Sequence, residues 1–463
     1  MRPKREILDR AIIAAAAVTG LLCTASRGLA DTYIVTALSN GLTSTVRDIS
    51  PTGAVCGTDA GHAFVWRPSS PNTTTGTETI LPSLIPNFSS NAFGVNAAGY
   101  VVGHTGDDPL QQHEVPVVWN PDGSITKLPL FNGVSSGGMA TGINDNGQIT
   151  GRNGLFVSDA APVRWSTDGT GIYIGNPPDY ADAYGWKIND NAVIAGTAQL
   201  NDGSGRAFIH ANGLFTFLPL LPGASLTAAY DINEAGHVVG SSSFSGATAF
   251  FYDGSSVRAL ANVPGDLIQV STALGLNNRD QIVGYGNPSP NITGAMIWDG
   301  PGQAPRYLNA LIDASSPGYV SAANPGWFIT EAVAINDIGQ IAARGLSTSG
   351  GSYKALLLTP VHSVTGVNGG DGARVTLSVA PNPAHGPVGV QFTMSRPGAA
   401  RLQVVDLAGR NVATLHDGFA GSGTTHIPWN GRSLDGQWLS PGVYFLQLHT
   451  PTGAVSRPFV LIR

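Results

Sequence analysis

The sequence predicts an all-β protein: a seven-bladed β-propeller of four-stranded blades closed by the N-terminal strand, followed by an Ig-like β-sandwich. Three observations lead there. A fourteen-residue pattern recurs, as ATGINDNGQITGRN (140–153), AYDINEAGHVVGSS (229–242) and AVAINDIGQIAARG (332–345). Aligned on its Asn, the copies fall at Ser50, Asn96, Asn144, Asn189, Asn233, Asn277 and Asn336, about 45 residues apart except for a stretched last unit. Composition agrees: 60 of 463 residues are Gly and only 12% are charged, about half the ~25% usual for soluble domains.

Each copy holds four strand-like runs. In the fifth they are TAAYDIN (227–233), HVVGSSS (237–243), ATAFFY (247–252) and SSVRALA (255–261). Asp145-Asn146-Gly147 supplies a turn between the first two runs, and Asp253-Gly254 is a hairpin signal between the last two. One such sheet has two apolar faces and needs neighbours on both sides, which a ring provides. The seventh unit lacks a fourth strand, whereas DTYIVTAL (31–38) is a strand without a unit. The N-terminal strand is therefore expected to complete the blade begun at residue 332.

Around this array the chain divides into residues 1–30, a secretory signal peptide; 31–360, the propeller; 361–373, a Gly- and Asn-rich linker; and 374–463, the sandwich. Arg2, Lys4 and Arg5 precede the apolar run 11–22, and Gly28-Leu29-Ala30 forms a small-residue cleavage site. Twelve apolar residues are short of the ~20 that span a bilayer, so no transmembrane segment is expected in the mature chain. Cys56 then remains as a lone cysteine, read as a small buried strand residue. A net charge of −6 without a basic stripe argues against nucleic acid.

The repeat resembles the HAF repeat of bacterial extracellular proteins, through GHAFVW (61–66), RAFIHANGLFTFLPLLPG (206–223) and the Ile-Asn-Asp elements. The tail resembles Ig-like C-terminal domains related to the flagellar hook-capping protein and to type 9 secretion sorting domains. That resemblance rests on Pro381-Asn382-Pro383, ARLQVVDLAGRNVATL and WNGRSLDGQWLSPGVYFLQL (429–448). It implies an extracellular or outer-membrane surface location, with the export machinery as a partner.

No zinc-protease, nucleophile-elbow, phosphate-loop or EF-hand element occurs, so no catalytic residue, metal or cofactor is assigned. The acids beside the repeat Asn (Asp145, Asp190, Glu234 and Asp337) read first as turn residues. Trp66, Trp119, Trp165 and Trp298 recur at one phase and read as packing between blades. Departures from the repeat are the better candidates for ligand contact. These are Trp186, Trp327 in the last unit's insertion, and a polar loop containing His104, Asp107, Asp108, His113 and Glu114. The expected function is a secreted or surface-displayed, non-enzymatic binding platform, with extracellular polysaccharide or another surface protein as partner. The alternative is a propeller enzyme such as a glycoside hydrolase or polysaccharide lyase.

Overall fold

The computed structural model describes residues 32–361 except 40, 42, 109–113, 135–136, 155–159, 201, 203, 244–245, 265, 267–268, 290–291, 314–315, 317–325 and 348–350. In the tail it describes 375–461 except 381, 383, 385, 395–396, 407–409, 434 and 451–452. The expected signal peptide and most of the expected linker lie outside the described residues. The chain separates into two compact units, Met1–Val361 and His362–Arg463.

Among its described residues, the first unit is all-β apart from one short 3-10 turn, Leu308–Leu311. Its described strands form seven four-stranded antiparallel sheets. They are referred to in chain order as blade 1 (44–80), blade 2 (90–127), blade 3 (139–173), blade 4 (182–217), blade 5 (226–259), blade 6 (271–307) and blade 7 (327–361). The first strand of each blade packs against the first strand of the next, and that of blade 7 packs against that of blade 1. The first strands therefore surround a central channel, and the ring is closed.

Closure is made by strands from both ends of the unit. Thr32–Ala37 pairs antiparallel with Tyr353–Val361 and becomes the fourth strand of blade 7. Its alternation places Tyr33 and Val35 in the core beside Leu356 and Leu358. Beyond it, Leu38 joins Val46, Phe64 and Leu357 where blades 7 and 1 meet. The N–H of Ala355 donates to Ser44 Oγ at 2.9 Å, tying blade 7 to the next blade.

The recurring aromatics also join blades. Trp119, Trp165 and Trp298 are buried, and each indole N–H donates to a carbonyl in the segment leading from the preceding blade (Pro82, Pro129 and Ala261) at 2.7–2.9 Å. A buried indole needs such a partner, which fixes where the incoming chain runs. Cys56 is a fully buried core residue of blade 1.

The turn after the first strand demands a positive φ. Gly53, Gly99, Gly147, Gly236 and Gly339 supply it at 76° to 89°. Blade 4 places Ala192 there at φ 60°.

The second unit packs a three-stranded sheet (Val375–Ala380, Val388–Met394, Gly423–Trp429) against a four-stranded one (Asn411–Ala420, Gly398–Val405, Gly442–Thr450, Gly453–Leu461). Phe392, Leu402, Leu446, Leu448 and Phe459 fill the single core between them.

Two outcomes are expected. Ala192→Gly should raise stability by about 1 kcal/mol, the cost of a left-handed non-Gly residue, in denaturant titration. Removing residues 32–37 leaves the core around Leu356 and Leu358 open and should lower Tm by roughly 10 °C in calorimetry. An unchanged melt would contradict ring closure by this strand.

Candidate functional site: the central channel

The repeat Asn has a double role that sets the geometry of the channel mouth. Its Oδ1 accepts an N–H within its own turn, as Asn144 does from Gln148 and Asn189 from Val193, at 2.8–2.9 Å. Its Nδ2 donates to the backbone carbonyl of the equivalent residue in the next blade. The links run Asn96 to Asn144, Asn144 to Asn189, Asn189 to Asn233, Asn233 to Asn277, Asn277 to Asn336 and Asn336 to Ser50, at 2.8–3.3 Å. Six amides thus stitch seven blades. Ser50 keeps the turn bond, accepting from Ala54 N–H at Oγ, but has no amide to pass on to Asn96.

The neighbouring acids repeat the trick in the opposite direction. Ala97 N–H donates to Asp145, Asp145 N–H to Asp190, Asp190 N–H to Glu234, Glu234 N–H to Asn278, and Asn278 N–H to Asp337. The turn itself is closed by Asn Oδ1, so the expectation that these acids serve their own turns is corrected: each caps the preceding blade's turn. Burial raises the pKa of Asp145 and Glu234, opposed by the N–H each accepts and aided by neighbouring carboxylates. An open pocket of about 370 Å³ lies inside this ring. Lining it are Asp145, Asp190, Glu234 and Asp337 above, with Asp48, Lys187 and Asp231 below.

Those last three residues come from one position of the repeat. Every first strand carries a β-bulge at the same place, on Arg47, Phe93, Thr141, Trp186, Tyr230, Leu274 and Val333. The residue after the bulge is Gly94, Gly142, Gly275 or Ala334 in four blades, but Asp48, Lys187 and Asp231 in the others. Gly is needed where blades crowd: a Cβ on Gly142 would sit 2.8 Å from Trp186 O, and one on Gly275 2.8 Å from Ala334 Cα. Where a charge replaces it, the charge is held by its neighbours. Asp48 and Asp231 accept from Val95 and Leu276 N–H, one blade on, at 3.2 and 2.8 Å. Lys187 Nζ reaches Asp48 at 2.5 Å, from blade 4 to blade 1.

This triad is electrostatically uneven. Burial pushes the Asp231 carboxyl up to about 6, although Lys187 and the N–H groups of Leu276 and Ile232 pull it down. Burial works against the Lys187 ammonium, but Asp48 and Asp231 outweigh it and hold its pKa above the ordinary value. Lys187 is therefore a fixed cation crossing the channel below an acidic mouth. Among the described residues, no three His, Cys, Asp or Glu side chains are arranged to hold a metal ion.

A second layer lies deeper, at the bulge and beyond. The bulged Phe93, Trp186 and Tyr230 stay partly exposed on strands that have no in-sheet neighbour on the channel side. Trp186 meets Tyr184 edge-on at 5.3 Å. The Arg47 guanidinium lies 5.3 Å from the Phe93 ring, and that ring stacks on His104 at 5.7 Å. His104 bonds Asn91 and sits 3.5 Å from Glu114. Burial holds its pKa below normal; Glu114 opposes this, and Arg152 and Arg47 add to it.

Of the residues picked from the sequence, the structure thus brings Trp186, His104 and Glu114 to or just behind the channel wall. Asp107 pairs with Lys127 at 2.5 Å. Asp108 follows it, partly buried, and His113 lies outside the described residues. Trp327 opens the first strand of blade 7 and packs against the core shared with blade 6. Arg47, Asp48, Phe93, Lys187, Tyr230 and Asp231 were missed. Their signal was present in the two residues before each Ile-Asn pair or its counterpart (Ile49-Ser50, Val95-Asn96 and Leu276-Asn277): Arg-Asp, Phe-Gly, Thr-Gly, Trp-Lys, Tyr-Asp, Leu-Gly and Val-Ala.

Residues 223–380 match a family described as protein of unknown function (DUF3466), and residues 378–462 match the secretion system C-terminal sorting domain. The second unit accordingly carries a type 9 sorting domain, which indicates export to the cell surface or extracellular space. No curated protein sequence matches the chain. Among solved structures, it is similar to a prolyl endopeptidase at 12% identity and a TM-score of 0.42, over 85% of this chain and 60% of that one. YCF48 bound to D1 peptide matches at 13% and 0.45, over 72% and 96%. Virginiamycin B lyase from Staphylococcus aureus matches at 13% and 0.44, over 71% and 100%. The chain spans 60% of the prolyl endopeptidase's length. No helix among the described residues is long and apolar enough to cross a membrane.

Asp231 gives a test of the triad. A folded state that holds its proton more tightly than the unfolded chain loses stability as pH rises from about 4 to about 6. The Tm of Asp231→Asn, minus that of the wild type, should therefore climb across this window and level off above about pH 7. A constant difference from pH 4 to 8 would show a carboxyl titrating normally.

Proposed function

We propose that this protein is an exported, surface-displayed or released β-propeller that binds a ligand in its central channel without transforming it. The supporting observation is where the copies differ. Residues that build blades and stitch them together recur, while those at and after the bulge are Arg, Phe, Trp or Tyr and Asp or Lys in particular blades. Packing alone asks for equivalent residues at equivalent positions; a mixed set around one channel suits an asymmetric ligand. Extracellular polysaccharide fits the hydroxyl, amide and aromatic groups there better than an apolar small molecule. Another surface protein is a second partner class. Export would begin with the N-terminal signal and end with recognition of the tail by the type 9 machinery. The HAF-type repeat and the hook-capping kinship of the tail belong to the same reading.

One observation favours an enzyme instead. Asp231, with its pKa near 6 and Asp48 held on the far side of Lys187, has the raised pKa of a general acid.

A glycan binding array on the full-length protein, with reducing-end release measured on the same glycans, separates the two. Saturable binding without product is expected, weakened about tenfold or more by Trp186→Ala. Turnover abolished by Asp231→Asn would establish the enzymatic reading, and absence of binding would overturn both.

A further inference from the structure

Arg47 is a cation in the channel wall that no described residue pairs with. Its neighbours are committed: Arg344 pairs with Glu331 at 2.7 Å, and Arg152 donates to Gly154 O at 2.7 Å. The Arg47 guanidinium has no hydrogen-bond or ion-pair partner among the described residues and is exposed. Yet it is not a free surface arginine. Burial by the surrounding blades lowers its pKa, Glu331 raises it and Arg344 lowers it again. One face is occupied by Phe93, itself backed by His104. The ring covers one side of the guanidinium and leaves N–H groups without a described partner, and such a fork can take a carboxylate with two parallel hydrogen bonds.

The surroundings define what carries that carboxylate. The same bulge position presents partly exposed aromatic rings in other blades, Trp186 and Tyr230. Tyr230 is positioned by a 3.3 Å contact between its hydroxyl and Ser241 Oγ. Aromatic faces beside hydroxyl groups suit the apolar face and the hydroxyl edge of a sugar ring. The opposite mouth carries Asp145, Asp190, Glu234 and Asp337, and Lys187 pairs with Asp48 between the two levels. An anionic ligand is repelled at that mouth and met by Arg47 at the other level.

We infer that Arg47, set over the Phe93 ring and sharing the bulge position with Trp186 and Tyr230 around the channel, forms a subsite for the carboxylate of a uronic acid residue in an acidic polysaccharide. The inference rests on the channel being the binding site. Arg47 supplies the bidentate contact, Trp186 and Tyr230 the stacking surface, and the acidic mouth excludes entry from the turn side. It names the class of sugar that the binding platform selects.

The test uses calorimetric titration of the full-length protein with oligogalacturonate and with the same oligosaccharide carboxyl-reduced. Wild type should bind the acidic form at least tenfold more tightly. Arg47→Met should abolish that preference while leaving affinity for the reduced form within twofold; Arg47→Lys should recover only part of it, since an ammonium cannot make the paired contact. Equal binding of oligogalacturonate by wild type and Arg47→Met overturns the inference. So does binding of the reduced oligosaccharide alone, an outcome that leaves the channel-binding reading standing. Arg47-dependent binding of a peptide through its free C-terminal carboxylate, with neither sugar bound, overturns the sugar assignment. Binding of none of the three removes both readings. If Arg47→Met does not fold, the conservative Arg47→Lys and the wild-type preference between the two sugars still decide.

Discussion

One side chain holds the ring together. The repeat Asn puts its amide oxygen into its own turn and its amide nitrogen onto the next blade, so each turn is both shaped and located by the same group. A buried amide left half-paired is costly, whereas one with both ends satisfied adds about 1 kcal/mol per bond. Six such links make the turn geometry of each blade depend on that of its neighbour. The carboxylates beside them run a parallel set of bonds backwards around the ring. With the mouth fixed this way, the first strands approach closely enough that Gly142 and Gly275 have no room for a Cβ.

That rigidity is what allows the channel to vary. Register and spacing are set by the Asn links, the buried indoles and the closing strand, and among the bulge residues Thr141 adds a bond to the next blade while Arg47, Phe93, Trp186 and Tyr230 keep part of their surface free. A bulge turns one extra side chain out of the ladder in every blade. Seven blades therefore offer seven independent positions around one axis, and in this chain they hold a cation, three aromatics and smaller residues. The three charges one residue further on form a group whose members come from blades 1, 4 and 5. No single copy of the repeat contains a site, and the ring assembles one.

The second unit contributes on a different level. Its core is built from the alternating residues of two short sheets and is complete within residues 375–461. The sorting domain therefore has a core of its own.

The repetition determined the architecture, since four alternating runs every 45 or so residues bury both faces only when stacked, and a unit short of one strand needs the orphan at 31–38. Asn144 and its counterparts were legible as conserved turn chemistry among the copies, but their bonds to the next blade were not, because the partner carbonyl lies some 45 residues away. The candidate site was legible only in part. Trp186 and His104 stood out as departures from the pattern, while Trp327 proved to begin a strand. Asp48, Lys187 and Asp231 lie more than 40 residues apart in sequence, and Asp48 on blade 1 meets Lys187 on blade 4 only because the ring closes. Local pattern fixes what each strand is; which charges share a low-dielectric channel depends on long-range distances that the tertiary structure alone decides.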